Sequence, residues 1–397
     1  MRKVLTVMAV VVIVAIVGPV AAQWIPLPGD PGLWPYGDGP VPPPVPPLNT
    51  YRLASCVGWN PLEGEVQIYS VGGNRLADIP GGPGGGLYNG NRQSRFSIYS
   101  PTFNSWVSAD GTTPGGLVGY NNGGGALDPT VGQGTGYVVD RGAYFNAFVY
   151  VFGGYPRWGG RMDRYDIVNN TWTSVAKGDD DGLYNNGGGS IVGTSFWKVE
   201  VAGELMEYDL LTDTFVDYDL ITVGYQGKPI PGLVNPQIFA AAATIGNKLY
   251  IVDTDAAAGA LYEIDPIAGT VVAKASTPTP VREAGSVVWN GRLYLFGGRT
   301  GAANTTATTL IQVYDPVGNA WYNTTVALPS ARSGFLAEVV GDTLYIGNGL
   351  DNNAAPGVLN DLWTINMNQI QLIPEPGTLA VVGLGLLSLL GLRRGKK

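Results

Sequence analysis

Residues 291–298 read GRLYLFGG, and residues 311–323 read IQVYDPVGNAWYN. The first stretch is a short apolar run closed by Gly297 and Gly298. The second ends a strand-like run in Tyr314 and carries Trp321 seven residues later. Two upstream segments repeat this order. NAFVYVFGG (146–154) closes on Gly153 and Gly154 and is followed by MDRYDIVNNTWTS (162–174), with Tyr165 and Trp172. GEVQIYSVGG (64–73) closes on Gly72 and Gly73 and is followed by FSIYSPTFNSWVS (96–108), with Tyr99 and Trp106. Short apolar runs with aromatic and β-branched residues, bounded by Gly, Asn, Asp and Pro turns, read as strands. No stretch before residue 378 sustains a helical period, so the chain reads as all-β.

Three weaker units keep the seven-residue spacing: Tyr208 with Phe215, Ile264 with Val271, and Ile365 with Leu372. The anchors then fall at residues 99, 165, 208, 264, 314 and 365. Val201-Ala202 and Asp253-Thr254 stand in the third and fourth units where a glycine pair is expected. A period of about 50 residues marks a stacked repeat, in which no single sheet can bury both of its faces alone. Glycine pairs suit close backbone approach, and Tyr and Trp fill the wedges between sheets.

The diglycine, Tyr and Trp order resembles the kelch repeat family. The resemblance implies a six-bladed kelch-type β-propeller over residues 51–373, each blade holding four strands. Turns such as WNGR (289–292) and DPVGNA (315–320) are short, whereas the connections at 74–94, 110–134, 177–190, 299–309 and 350–360 are long. In an up-and-down blade the long connections all emerge on one face, which is the expected binding face. The candidate ligand-binding residues there are Tyr88, Tyr120, Tyr184, Arg157, Arg161 and Arg299. YNNGGG occurs at both 120–125 and 184–189. It reads either as a pair of equivalent tyrosine sites or as duplicated surface linker.

The sequence contains no histidine. That removes Ser-His-Asp and Cys-His catalysis and every histidine-ligated metal site. Some kelch propellers are copper radical oxidases with histidine ligands, and this chain departs from their pattern. Others are sugar-acid isomerases that rely on Arg and Glu. By that resemblance Arg157, Arg161, Arg299 and Glu283 are candidates near the rim or axis of a carbohydrate-active enzyme. Asp179, Asp180 and Asp181 form a tight acidic run without the alternating oxygen ligands of a calcium loop. No catalytic residue, metal site or cofactor is assigned, and the chain is expected not to be an enzyme. Three Asn-x-Thr acceptor patterns lie at 169–171, 304–306 and 323–325.

The ends of the chain read as addresses. Arg2 and Lys3 precede an apolar run from Val4 to Val17 and the small residues Ala21 and Ala22, the order of a secretory signal covering 1–22. Residues 23–50 are rich in Pro and Gly and read as a linker, either a semi-rigid spacer or a strap lying on the body. Residues 374–397 begin Pro374-Glu375-Pro376, continue through an apolar run from Thr378 to Leu392, and end on Arg393, Arg394, Lys396 and Lys397. A helix of about 15 residues spans about 22 Å, short of a hydrocarbon core of about 30 Å. The tripartite order resembles the PEP-CTERM sorting signal. That resemblance implies export by a bacterium, membrane tethering through the C-terminus, processing by an exosortase-type enzyme, and a final place at the cell surface or in the extracellular matrix. A glycan or protein is the expected ligand, and a purely structural matrix component is the alternative.

Charge and cysteine content fit that setting. Without 1–22 and 374–397, seventeen basic residues face thirty acidic ones, a net charge of −13. Such a body repels phosphate backbones, so nucleic acid is not an expected partner. Cys56 is the only cysteine, excluding an internal disulfide, and reads as a small buried hydrophobe.

Overall fold

A computed structural model describes residues 22–27, 53–71, 74–75, 91–92, 96–108, 141–152, 161–177, 189–199, 204–216, 218, 228–232, 240–253, 259–300, 306–351, 357–359 and 361–373. Among the described residues six antiparallel sheets of four or five strands form the blades, beside three two-stranded ladders. Blade I runs Ala54–Asn60, Glu65–Val71, Phe96–Ser100 and Ser105–Ser108 from the axis outward. Blade II runs Arg141–Phe145, Phe148–Phe152, Arg161–Asp166 and Thr171–Lys177. Blade III runs Gly189–Val192, Ser195–Val199 and Glu204–Asp209, and its outer position is split between Thr214–Phe215 and Lys228–Pro229. Blade IV runs Ala241–Ile245, Lys248–Asp253, Ala260–Asp265 and Thr270–Lys274. Blade V runs Gly285–Trp289, Arg292–Phe296, Ile311–Asp315 and Ala320–Asn323.

Blade VI differs from the sequence expectation. Its first three strands are Leu336–Val340, Thr343–Gly347 and Leu362–Asn366, but the outermost is Ile25–Leu27. Ile25 faces Thr364, Pro26 faces Trp363 and Leu27 faces Leu362. The propeller therefore does not begin at residue 51, because part of the expected 23–50 linker closes the ring. Nor does Leu372 lie in an outer strand after Ile365; it bridges Thr324 beside blade V. The physical reason is that Leu362–Asn366 would otherwise present an open sheet edge, and a short segment carrying a proline suits an outermost strand.

The inner strands touch in sequence, I to II through VI and back to I, which closes the ring. Each junction has its own apolar cluster. Tyr69 and Ile98 of blade I pack with Val149 and Tyr165 of blade II. Tyr150 and Phe152 of blade II pack with Phe196 and Tyr208 of blade III. Tyr99 of blade I packs with Leu336 and Tyr345 of blade VI. The core is thus six wedges around the axis, each about equally owned by two blades.

The seven-residue Tyr–Trp spacing is explained by the turn between the third and outer strands. Tyr99 meets Trp106 with ring centroids 5.2 Å apart, and Tyr314 meets Trp321 at the same separation. Between them the Tyr314 hydroxyl donates to Asn319 Oδ1 at 2.8 Å, and Tyr165 donates to Asn170 at 2.8 Å. Tyr208 donates to Asp213 at 2.7 Å. Asn319, Asn170 and Asp213 all lie at left-handed φ of 47°, 53° and 61°, a conformation that Asn and Asp tolerate better than most residues. In blade IV, where Ile264 replaces the tyrosine, Gly269 takes the left-handed position.

The described helical structure is a single 3-10 turn, Met367–Gln369. Among the described residues no helix is long and apolar enough to cross a membrane. The expected signal peptide, the C-terminal apolar helix and the sorting residues Pro374, Glu375, Pro376, Arg393 and Arg394 lie outside the described residues.

Candidate functional site

The six inner strands, with the residues just before several of them and out to their third or fourth positions, line an axial cavity of about 400 Å³. Most of its wall is small: Ala54, Gly142, Ala143, Gly189, Ala242, Ala243, Gly285 and Ala337. This composition follows from the crowding of strands at the axis. A Cβ on Gly142 would stand 2.7 Å from the Ser55 carbonyl oxygen, and one on Gly285 would stand 2.5 Å from Ala337 Cβ. Polar groups come from Ser55, Ser190, Thr244 and Ser286, and the charged lining consists of Glu283 and Glu338. Among the described residues, Thr244 Oγ1 is buried without a hydrogen-bond partner, which leaves the wall an unused hydroxyl.

Each inner strand begins at the end of the disc where the long connections emerge, so the cavity belongs to that end. Three of those connections carry two-residue ladders. Arg299–Thr300 pairs with Thr306–Ala307 in blade V, Leu350–Asp351 with Gly357–Val358 in blade VI, and Asn74–Arg75 with Asn91–Arg92 in blade I.

Glu283 is held there by an uncommon arrangement. It lies two residues before the inner strand of blade V at a left-handed φ of 55°, which costs a side chain with a Cβ roughly 1 kcal/mol or more. Its side chain is 1% exposed and ion-paired to Arg299, itself 6% exposed. Arg282 and Arg299 exchange backbone hydrogen bonds at 3.0 and 2.8 Å, which fixes the arginine beside the carboxylate. Gly297 and Gly298 make the approach possible. Both have left-handed φ, and a Cβ on Gly298 would stand 2.7 Å from the Arg282 carbonyl oxygen.

Glu338 lies on the inner strand of blade VI, at the junction with blade I. Its Oε1 accepts from Ser55 Oγ at 2.6 Å, which ties blade VI to blade I. Cys56, the next residue, is buried; burial first and the Glu338 charge second push its thiol well above the usual range. The sequence reading of Cys56 as a buried small side chain agrees with this environment, which disfavours a thiolate.

Of the candidate ligand-binding residues, the structure describes Arg299 fully. It lies at the long-connection end, as expected, and next to Glu283, but as a buried ion pair rather than an exposed contact. Arg161 begins the third strand of blade II at the same end, where a register shift separates it from Met162. Tyr88, Tyr120, Tyr184, Arg157 and the run Asp179–Asp181 lie outside the described residues.

Sequence reasoning missed Glu338. The signal was present: the position facing the aromatic residue of the second strand is Cys56, Ala143, Ser190, Ala243 and Val287 in blades I to V. Blade VI alone places a charge there, opposite Tyr345.

Among the described residues no group of three or more Cys, Asp or Glu is placed to hold a metal. No curated protein matches the chain. Residues 280–324, which include the Glu283–Arg299 pair and all four strands of blade V, match the family model described as Kelch motif. With six four-stranded blades closed into a ring, that match supports a kelch-repeat propeller.

Proposed function

We propose that this chain is an exported propeller that acts as a binding module at the cell surface or in the extracellular matrix, with a glycan or protein as ligand. The observation that supports this reading is the shared location of the axial cavity and the laddered connections at one end of the disc. Long connections on a rigid scaffold are where binding residues concentrate, and a propeller fold suits an interaction role. Export through residues 1–22, and sorting through Pro374-Glu375-Pro376 with an exosortase-type enzyme as processing partner, are part of the same proposal. The test is a glycan-array screen and a protein-interaction screen of the full chain in detergent. Specific binding that weakens in the Tyr120→Ala/Tyr184→Ala variant, at unchanged melting temperature, supports the reading; binding in neither screen returns the chain to a structural matrix role.

A carbohydrate-active enzyme is the second reading. Glu283 and Glu338 on the cavity wall favour it, since carboxylates are the acid and base groups of sugar chemistry. Turnover of a bound sugar that disappears in Glu338→Gln, with binding retained, would support it over a purely binding role.

A further inference from the structure

The end of the disc opposite the cavity carries a repeated feature that the binding reading does not use. The turns between third and outer strands project from that end, together with the short turns between first and second strands. In four consecutive blades the turn opens with an aspartate whose Oδ1 accepts the N–H two residues on: Val168 to Asp166, Leu211 to Asp209, Ile267 to Asp265 and Val317 to Asp315, at 2.8–3.0 Å. That bond fixes the tip residue with its amide turned inward and its side chain outward. In each case the tip is apolar and exposed: Val168 49%, Leu211 63%, Ile267 68% and Val317 96%. In blade I, Phe103 is 70% exposed and donates its N–H to Ser100 Oγ at 3.2 Å. Scattered exposed hydrophobes are ordinary. The same turn position is apolar in four consecutive blades, with Phe103 one residue later in blade I and the polar Asn368 at the tip in blade VI. The tips therefore form a ring open at blade VI, and a patch of this kind marks an interaction surface.

Chain direction argues for the occupant. Near these turns Arg164 pairs with Asp213, Lys248 with Asp265 and Arg292 with Asp315, while Lys228 Nζ donates to the Pro266 and Ile267 carbonyls at 2.6 and 3.1 Å. The last described residues run against the outer strand of blade V: Thr325 N–H donates to Gln371 O at 3.0 Å, and Ile373 N–H donates to Asn323 O at 2.8 Å. That strand starts at the turn bearing Val317 and runs away from it, so the chain leaves Ile373 heading back towards the ring. From Asn323 to Asn319 is about 13 Å along the strand. In the sequence the apolar run from Thr378 to Leu392 begins five residues after Ile373.

We infer that this ring is a membrane-facing surface, with Phe103, Val168, Leu211, Ile267 and Val317 seated in the interfacial layer of the bilayer that holds the C-terminal segment. The cavity end then faces away from the membrane, open to ligand. The orientation rests on the proposed membrane retention of residues 374–397, whereas the ring itself stands on the turns.

The experiment uses the full chain in phosphatidylcholine–phosphatidylglycerol vesicles. An environment-sensitive dye is placed on Val317→Cys or, as the opposite-face control, on Thr306→Cys. Cys56 is buried and does not compete for the label. The inference expects a blue-shifted dye at 317, quenched by bromine-labelled lipid, and an unshifted, unquenched dye at 306. Vesicle-bound protein with both dyes unquenched overturns the membrane-facing ring and leaves retention standing. Protein that does not float with vesicles overturns both. A shift at 317 without vesicles, rising with protein concentration, assigns the ring to a second copy and likewise overturns it.

Discussion

The backbone N–H of Gly334 donates to the carbonyl oxygen of Glu283 at 2.9 Å, and the two residues occupy the same place in consecutive blades, two before the inner strand, at φ of 56° and 55°. Glycine adopts that conformation freely; glutamate does not. Blade V accepts the strain and uses the carboxylate to neutralise a buried arginine.

Replacing Glu283 by Gly is therefore expected to relieve strain yet destabilise the fold. Arg299 would be left buried and unpaired, and breaking such a pair typically costs about 3–5 kcal/mol, against roughly 1 kcal/mol of strain released. Glu283→Gly/Arg299→Met should recover most of the loss. Urea midpoints of the wild type, both single variants and the double variant check this; additive losses would contradict the pairing.

The Asn319 side chain supports two contacts at once. Its Oδ1 accepts from Tyr314 and from the Ala275 N–H at 2.9 Å, while Trp321 Nε1 donates to the Ala275 carbonyl at 2.7 Å. Asn319→Ala loses both bonds and places an ordinary side chain at left-handed φ, for a combined cost of roughly 2–3 kcal/mol. Asn319→Gly loses the bonds alone and should cost about 1 kcal/mol less. Thermal melting of the pair separates the backbone and hydrogen-bond contributions.

Ring closure depends on the N-terminal strand. Trp24 Nε1 donates to the Ala327 carbonyl at 2.8 Å just before Ile25–Leu27 pairs with blade VI. Removing residues 22–27 should lower the melting temperature and expose Leu362–Asn366 to protease, with a loss of roughly 2–4 kcal/mol. Trp24→Ala should give a smaller shift in the same direction. An unchanged proteolysis pattern would mean the ring does not depend on this strand.

Acid and alkaline limits follow from the same turns. Asp265 is held below the ordinary carboxylate range by the Ala268 N–H, then by Lys248. A depressed folded pKa gives stability that is complete above the unfolded value near 3.8 and is lost as pH falls through the folded one. Stability should fall below about pH 4, and Asp265→Asn should flatten part of that slope. At the other end, burial followed by the charges of Glu263 and Asp315 pushes Tyr314 from 10.0 up to about 12. The folded state then keeps a proton that the unfolded chain releases, so stability is complete below about pH 10 and falls as pH rises towards 12. Denaturant midpoints between pH 3 and 12, roughly the range over which these groups titrate, test both limbs.

The sequence by itself determined the repeat and hence the all-β, six-bladed architecture. Local chemistry sets those features: the diglycine at Gly297 and Gly298 needs left-handed backbone, and Tyr314 needs its ring partner Trp321 seven residues on. It also determined which end of the disc bears the long connections, because an antiparallel blade leaves no choice. Only the tertiary structure decided how the ring closes. Nothing local in Ile25–Leu27 says that it pairs with residues 362–364, since that contact forms only when the last blade's open edge meets it. The axial site was divided in the same way. Arg299 and Glu283 were legible as charged residues near the axis, but their pairing, and the pairing of Glu338 with Ser55, depend on which blades become neighbours. The ring at Phe103, Val168, Leu211, Ile267 and Val317 was in the sequence all along. It became a surface only once the blades placed those turns around a single rim.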